Sequence, residues 1–247
     1  MSEYILIDLP SKGNKPHCWS LNPWKARAAL NYKNVAYKTE WTEYPDLASK
    51  LSSYGVEKND MSGGGAYTEY SAPAAKFPDG KWIMDSRKIA EALDKAQPMP
   101  TLHTERGDVI DKTQAAVLEL FGHLRPEVMP RVPPMLLNPR SAEYFEETRA
   151  KRFGMPLSEL AKSEGSGEAA WKNAEPSIKK LADILKEKKG NFVLGEEVSF
   201  ADFVVGGMFV MLKLCDKNGD LYDRLLKQDE VFKRHCDAVA GFFSRDD

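Results

Sequence analysis

With 247 residues and 42% hydrophobic side chains, the chain is long enough for two domains, or one large one, with a real core. Its 35 basic and 37 acidic residues leave a net charge of -2, which gives no electrostatic footprint for nucleic acid or an anionic membrane. The N-terminus lacks the basic, apolar and small-residue succession of a secretory signal. The longest mostly apolar run, Phe200 to Cys215, is broken by Asp202, Gly206, Gly207 and Lys213, so no membrane span is expected. Cys18, Cys215 and Cys236 are an odd number without metal-ligand spacing, and no Asn-x-Ser/Thr acceptor occurs. The expectation is a cytosolic protein with free thiols.

The first hundred residues alternate strand and helix signals. An apolar run at 4–9 leads through a 10–15 loop into the stretch His17 to Lys33, where Asn22 reads as N-cap and Pro23 as first helical residue. Ala26, Ala29, Leu30 and Lys33 share one face of the helix that follows. Val35, Tyr37, Thr39 and Trp41 then alternate as in a half-buried strand, completing a β-α-β unit. A weaker helix is expected over 46–54. The polar stretch 55–70, centred on Gly63-Gly64-Gly65, reads as a lid or surface insertion. With no following Lys-Ser/Thr and no GxGxxG spacing, it does not read as a nucleotide site. Runs 71–77 and 81–84 flank Pro78-Asp79-Gly80 and predict a hairpin, with Pro73 at a strand start. Asp85 or Ser86 caps the next helix, whose Ile89, Ala92 and Leu93 face inward.

Past a linker at 97–100 the strand signals fade. Val109 to Leu124 recur with helical spacing up to Pro126. Prolines 126, 130, 133, 134 and 139 then argue against regular helix. Helices are expected over 141–160 and 168–189, the second closed by its lysines and Gly190. Ser199 and Asp202 form a capping box opening an apolar helix through Leu214, and short helices over 219–227 and 229–243 finish an all-helical half. The division predicted is 1–97 and 104–247, an α/β domain of βαβαββα order followed by an all-α domain.

Ser20, just ahead of a helix N-terminus, combines a hydroxyl donor with free N–H groups and the positive end of the dipole, a setting suited to an anion such as a thiolate. The run from Ser20 to Lys33 with Tyr37-Lys38-Thr39-Glu40-Trp41, then Ala72-Pro73 before a hairpin, Asp85-Ser86 after it, and Ser199-Phe200-Ala201-Asp202 stand in one order. In that order they resemble the glutathione transferases, in particular the fungal etherase-related and FuA-type enzymes, which are similar in turn to bacterial β-etherases.

The resemblance implies a thioredoxin-like glutathione-binding domain, an acceptor-binding helical domain, glutathione as co-substrate, a small hydrophobic or aromatic acceptor, and a homodimer. It implies that Ser20 donates to the glutathione sulfur, with Asn22 as a second donor. Asp85 and Ser86 would receive the γ-glutamyl end, and Ala72, before a cis-Pro73, the cysteinyl main chain. Phe121, His123 and Arg125 would line the acceptor site between the domains. Aligning Lys25 and Arg27 with the basic pair of omega-type relatives places Ser20 rather than Cys18 at the nucleophile position. Cys18 supports the rival of a thiol reductase or peroxidase, and a non-catalytic ligand-binding protein is the other rival. His17, His103 and His235 lack ligand spacing, so no metal is expected.

Overall fold

The computed structural model describes residues 3–62 and 68–246. Gly63 to Gly65, at the centre of the expected lid or insertion, lie outside them, but the flanks of that loop are tied together: Asn59 N–H donates to the Glu69 carbonyl at 2.8 Å. Strand β1 (Tyr4–Asp8) puts Leu6 and Ile7 at the centre of a four-stranded sheet. Its parallel neighbour β2 (Tyr37–Trp41) needs a crossover, supplied by helix α1 (Leu21–Tyr32). After helix α2 (Tyr44–Ser53), β3 (Ala74–Lys76) pairs antiparallel with β1 and with β4 (Trp82–Met84), giving the order β2-β1-β3-β4. The β3–β4 turn is closed by Phe77 N–H to the Lys81 carbonyl, with Gly80 at φ 90°. Helix α3 (Ser86–Ala96) then packs against α1.

Helix α1 starts earlier than its proline suggests. Leu21 is the first helical residue, Ser20 is the N-cap and Trp24 N–H makes the first helical bond, to the Ser20 carbonyl at 3.1 Å. Asn22 is therefore not the cap; it is an exposed residue in the first turn. The first four N–H groups of a helix lack an internal acceptor, so Pro23 costs nothing at the third position.

The same physics corrects the proline-rich stretch. It is helical in one-turn pieces: α5 (Arg125–Val128), a 3-10 turn (Met129–Arg131) and α6 (Val132–Leu136), each with proline in its first two positions. Before them runs α4 (Gly107–His123), and after them come α7 (Pro139–Phe153), closed by left-handed Gly154, and α8 (Leu157–Leu160). Helix α9 (Glu168–Lys186) packs on α4. The apolar α10 (Phe200–Leu214) opens with the expected capping box, where Asp202 accepts from Ser199 N–H and Ser199 Oγ, each at 2.8 Å. Helices α11 (Tyr222–Leu226) and α12 (Glu230–Val239) and a 3-10 turn to Phe243 follow. No helix among the described residues is long and apolar enough to cross a membrane.

The helical half grips the sheet half at several places. Helix α10 crosses α1 so closely that a Cβ on Gly207 would lie 2.7 Å from the Leu21 carbonyl oxygen. Sandwiched between α10 and α3, α1 is buried continuously from Pro23 to Leu30. The β1–α1 loop is fastened by Lys12, whose N–H and Nζ reach the Leu136 and Pro134 carbonyls at 2.7 and 2.6 Å. Glu43, ahead of α2, accepts from Asn138 Nδ2 at 2.7 Å and from Ser141 Oγ at the start of α7.

Candidate functional site

Strand directions decide where the polar residues gather. β1 ends at Asp8 beside the start of β3, because Ile7 pairs with Ala74, and Ala74 pairs in turn with Met84 at the end of β4. The β1–α1 loop, the chain entering β3 and the chain leaving β4 therefore meet at one sheet edge, the edge where α1 and α3 begin. Ser20, Ala72-Pro73 and Asp85-Ser86 belong to these three segments, and Asp85 N–H donates to the Pro73 carbonyl at 3.1 Å.

The Ala72–Pro73 peptide is cis, and half-buried Ala72 stands outside the β3 ladder. Asp85 caps α3, with Oδ1 accepting from Arg87 N–H at 2.9 Å and Lys88 N–H at 3.2 Å. It holds φ at 89°, a backbone region that residues other than glycine occupy at a cost of about 1–3 kcal/mol. Ser86, the first residue of α3, is buried. Ser20 is also buried, and although it is the N-cap of α1 its side chain makes no capping bond. Its hydroxyl is thus left for another acceptor at the positive end of the helix.

Beneath this edge lies a closed ionic core. Arg27 Nε meets Asp8 Oδ2 at 2.8 Å with both side chains fully buried, Thr39 Oγ1 accepts from the same guanidinium at 2.9 Å, and the Trp41 ring lies 4.9 Å away. Cys18 borders this core, its Sγ 3.9 Å from the Ser20 carbonyl oxygen. Burial, reinforced by the Asp8 charge, pushes the Cys18 thiol well above the ordinary thiol range, so it stays protonated at neutral pH. Burial likewise pushes Cys215 and Cys236 up to about 12.

Beside Ser20, Trp19 lies against Tyr44 of α2 and Phe145 of α7, at centroid distances of 6.1 and 6.3 Å. Tyr44 stacks on Tyr144 at 5.8 Å, and the Arg149 guanidinium covers Phe145 at 4.4 Å. The sequence reading missed this aromatic wall, because its halves lie a hundred residues apart. Phe121 is half-buried against the core and Arg125 lies over the Phe153 ring at 5.1 Å. Neither they nor His123 make a hydrogen bond or ring contact with the Ser20 loop among the described residues; Pro134 and Leu136 meet that loop. A groove of about 500 Å³ between α4 and α9 is no rival, since its lysines are closed by carboxylates, as in Lys112–Glu187 and Lys180–Glu119.

A helix N-terminus, a cis-proline and an acidic helix cap on one edge of a βαβαββα sheet, joined to an all-helical half, define a thioredoxin-like domain with a helical companion. The N-terminal domain model of glutathione S-transferase matches residues 19–96 and the C-terminal domain model matches 113–242. The glutathione S-transferase-like protein ustS of Aspergillus flavus is 30% identical over 205 residues, covering 76% of this chain and 71% of that protein. The structure of glutathione transferase GSTFuA2 from Phanerochaete chrysosporium superposes with a TM-score of 0.86 at 29% identity, covering 100% of both chains. That of CsGST63524 of Ceriporiopsis subvermispora, in complex with glutathione, gives 0.84 at 28%, covering 99% of both. The chain belongs to the glutathione S-transferase family, and the likeness to FuA-type enzymes expected from its motifs holds.

Proposed function

We propose that Ser20 activates glutathione by donating its hydroxyl to the sulfur, and that the thiolate attacks a hydrophobic aromatic or ether-bearing electrophile. One observation carries this reading: the buried Ser20 hydroxyl, uncommitted to its own helix cap, shares a sheet edge with cis-Pro73 and Asp85. A free thiol titrates near ~8.5, and a donor aided by a helix N-terminus lowers this by about one or two units, each worth roughly 1.4 kcal/mol. Asn22, exposed in the same turn, is the second donor proposed. Asp85 takes the γ-glutamyl ammonium, Ser86 and the α3 N–H groups face its carboxylate, and the Ala72 main chain pairs with the cysteinyl residue.

The division proposed is a glutathione-binding domain at 1–97 and an acceptor domain at 104–247. The acceptor enters beside the aromatic wall, with Phe121, His123 and Arg125 proposed at its α4 end. A cytosolic homodimer is the assembly proposed, and unpaired thiols at all three cysteines agree with a reducing compartment. The reductase reading loses support because Cys18 is buried and held protonated.

The test is titration of glutathione thiolate absorbance with wild type and Ser20→Ala. Wild type is expected to lower the thiol pKa by about one unit or more, with the variant restoring most of the shift. Binding without a pKa change in wild type would refute thiolate activation and leave ligand storage.

A further inference from the structure

Arginines that lie flat on aromatic rings follow one plan in this protein. Arg27 covers the Trp41 ring at 4.9 Å and Asp8 closes its edge at 2.8 Å. Arg224 covers the Trp171 ring at 4.5 Å and Glu168 takes both of its terminal nitrogens, at 2.6 and 2.7 Å. The ring takes the face of the guanidinium and a carboxylate takes its edge, the two surfaces that this planar cation offers.

Arg149 of α7 keeps the first half of the plan and lacks the second. Its guanidinium lies 4.4 Å from the Phe145 centroid and 5.6 Å from that of Tyr44. The edge, however, meets only neutral groups: one terminal nitrogen donates to Thr148 Oγ1 at 3.0 Å and the other to the Tyr44 hydroxyl at 3.4 Å. It has no ion pair among the described residues, although it is half-buried. The Tyr44 hydroxyl accepts that bond, and its own proton has no acceptor among the described residues. Burial, partly offset by Arg149, pushes the Tyr44 phenol up, so it remains a donor at neutral pH.

Arg125 also covers a ring without an ion pair, at Phe153. Phe153 lies about two turns along α7 from Phe145. Arg149 is the one joined to the Ser20 loop, since Phe145 and Tyr44 both meet Trp19, the residue before Ser20. A cation edge and a phenol proton, both open to an acceptor, thus sit against aromatic faces next to the proposed thiolate. An aromatic acid matches that set, with its ring for the tyrosines and its anion for the donors.

We propose that Arg149 is a specificity-determining residue that selects aromatic acceptors bearing a carboxylate or similar anion. The guanidinium and the Tyr44 hydroxyl donate to the anion, and the acceptor ring lies along the half-buried Tyr44 and Tyr144 rings. This rests on the transferase reading above and narrows its substrate class.

The test is the initial rate of glutathione conjugation with 4-chloro-3-nitrobenzoate and with its neutral relative 4-chloro-3-nitrobenzamide. In both, the thiolate adds to the chlorine-bearing ring carbon, the C–S bond forms, and chloride leaves with the C–Cl bonding pair. Because the two differ in intrinsic reactivity, each is compared between wild type and variant. A lost charge-assisted contact weakens binding about 10- to 100-fold. Arg149→Met is expected to lower kcat/KM for the benzoate by that factor, chiefly through KM, and to leave the benzamide unchanged. Arg149→Lys, which keeps the charge without the fork, should restore part of the loss, and Arg149→Gln replaces the methionine variant if that does not fold. An equal loss on both substrates, or none on either, overturns the assignment, while turnover of the benzamide shows the transferase reading intact. If wild type conjugates neither compound, the underlying reading falls and this proposal falls with it.

Discussion

The two ends of α1 are built on opposite plans. Toward its C-terminal end every buried charge is closed: Arg27 on Asp8, and Lys33 on Asp94 and two carbonyls. At the N-terminal end the Ser20 side chain makes no capping bond, the Ser86 hydroxyl, the Lys25 ammonium and one oxygen of Asp85 have no partner among the described residues, and Asp85 holds a disfavoured backbone angle. Satisfied groups hold the fold, whereas unsatisfied groups held in place by the fold are ready for a ligand. On the function proposed above, one helix serves as pillar and as receptor, and the pillar begins by Arg27.

The largest effect should come from the closed end. Arg27→Met strands the Asp8 carboxylate in the core, and removing one partner of a buried pair costs about 3–5 kcal/mol. Urea unfolding should show it, with glutathione affinity of the folded fraction unchanged; a loss under about 1 kcal/mol would mean the two ends do not differ as described. Gly207→Ala comes next. Its Cβ would stand 2.7 Å from a backbone oxygen that cannot swing aside, so α10 and α1 must part, at about 1–3 kcal/mol. Turnover should fall with stability, since the displaced Leu21 follows Ser20. Unaltered stability and activity would show that this crossing does not position the site.

The smallest effect has the opposite sign. Without ligand, Lys25→Met should raise stability at pH 7 by on the order of 1 kcal/mol, because an apolar chain replaces an unpaired buried charge. Burial, only partly offset by Asp85, lowers the Lys25 pKa to about 8, below its unfolded value of roughly 10.4. The unfolded chain then holds this proton more tightly, so wild type gains stability as pH rises from about 8 to about 10 and the advantage of the variant shrinks. The charge of Asp85, the N-cap of α3, acts on the ammonium, and α10 meets the stem at Gly207. Thermal unfolding across that range checks the sign; a constant gap would place the Lys25 pKa outside it.

Much of this was legible in the chain. The βαβαββα order followed from alternation and turn chemistry, the caps at Asp85 and Ser199 from residue type, and the family from motifs spread along both halves. The start of α1 was misplaced because proline fits any of the first four N–H positions, so Pro23 marks a first turn without fixing which residue opens it. The same tolerance made the proline-rich stretch look irregular when it is a string of helical turns. Lys25 drew notice only by alignment with relatives. A lysine on a helix normally reads as a solvated face, and only α10, almost two hundred residues on, turns that face inward. The Tyr44–Tyr144 wall was hidden for the same reason: long-range pairing leaves no local period.

The contacts of Lys33 have one further consequence. Its ammonium joins the end of α1 to Asp94 on α3 and to the Gln97 and Pro100 carbonyls, Asp94 accepts from Leu102 N–H, and the Leu102 carbonyl accepts from Phe200 N–H at the start of α10. The linker is thus a rivet and not a tether. A chimera that grafts another relative's helical half onto this sheet must carry residues 94–102 across as a unit, or it will leave a bare cation where the two halves are meant to join.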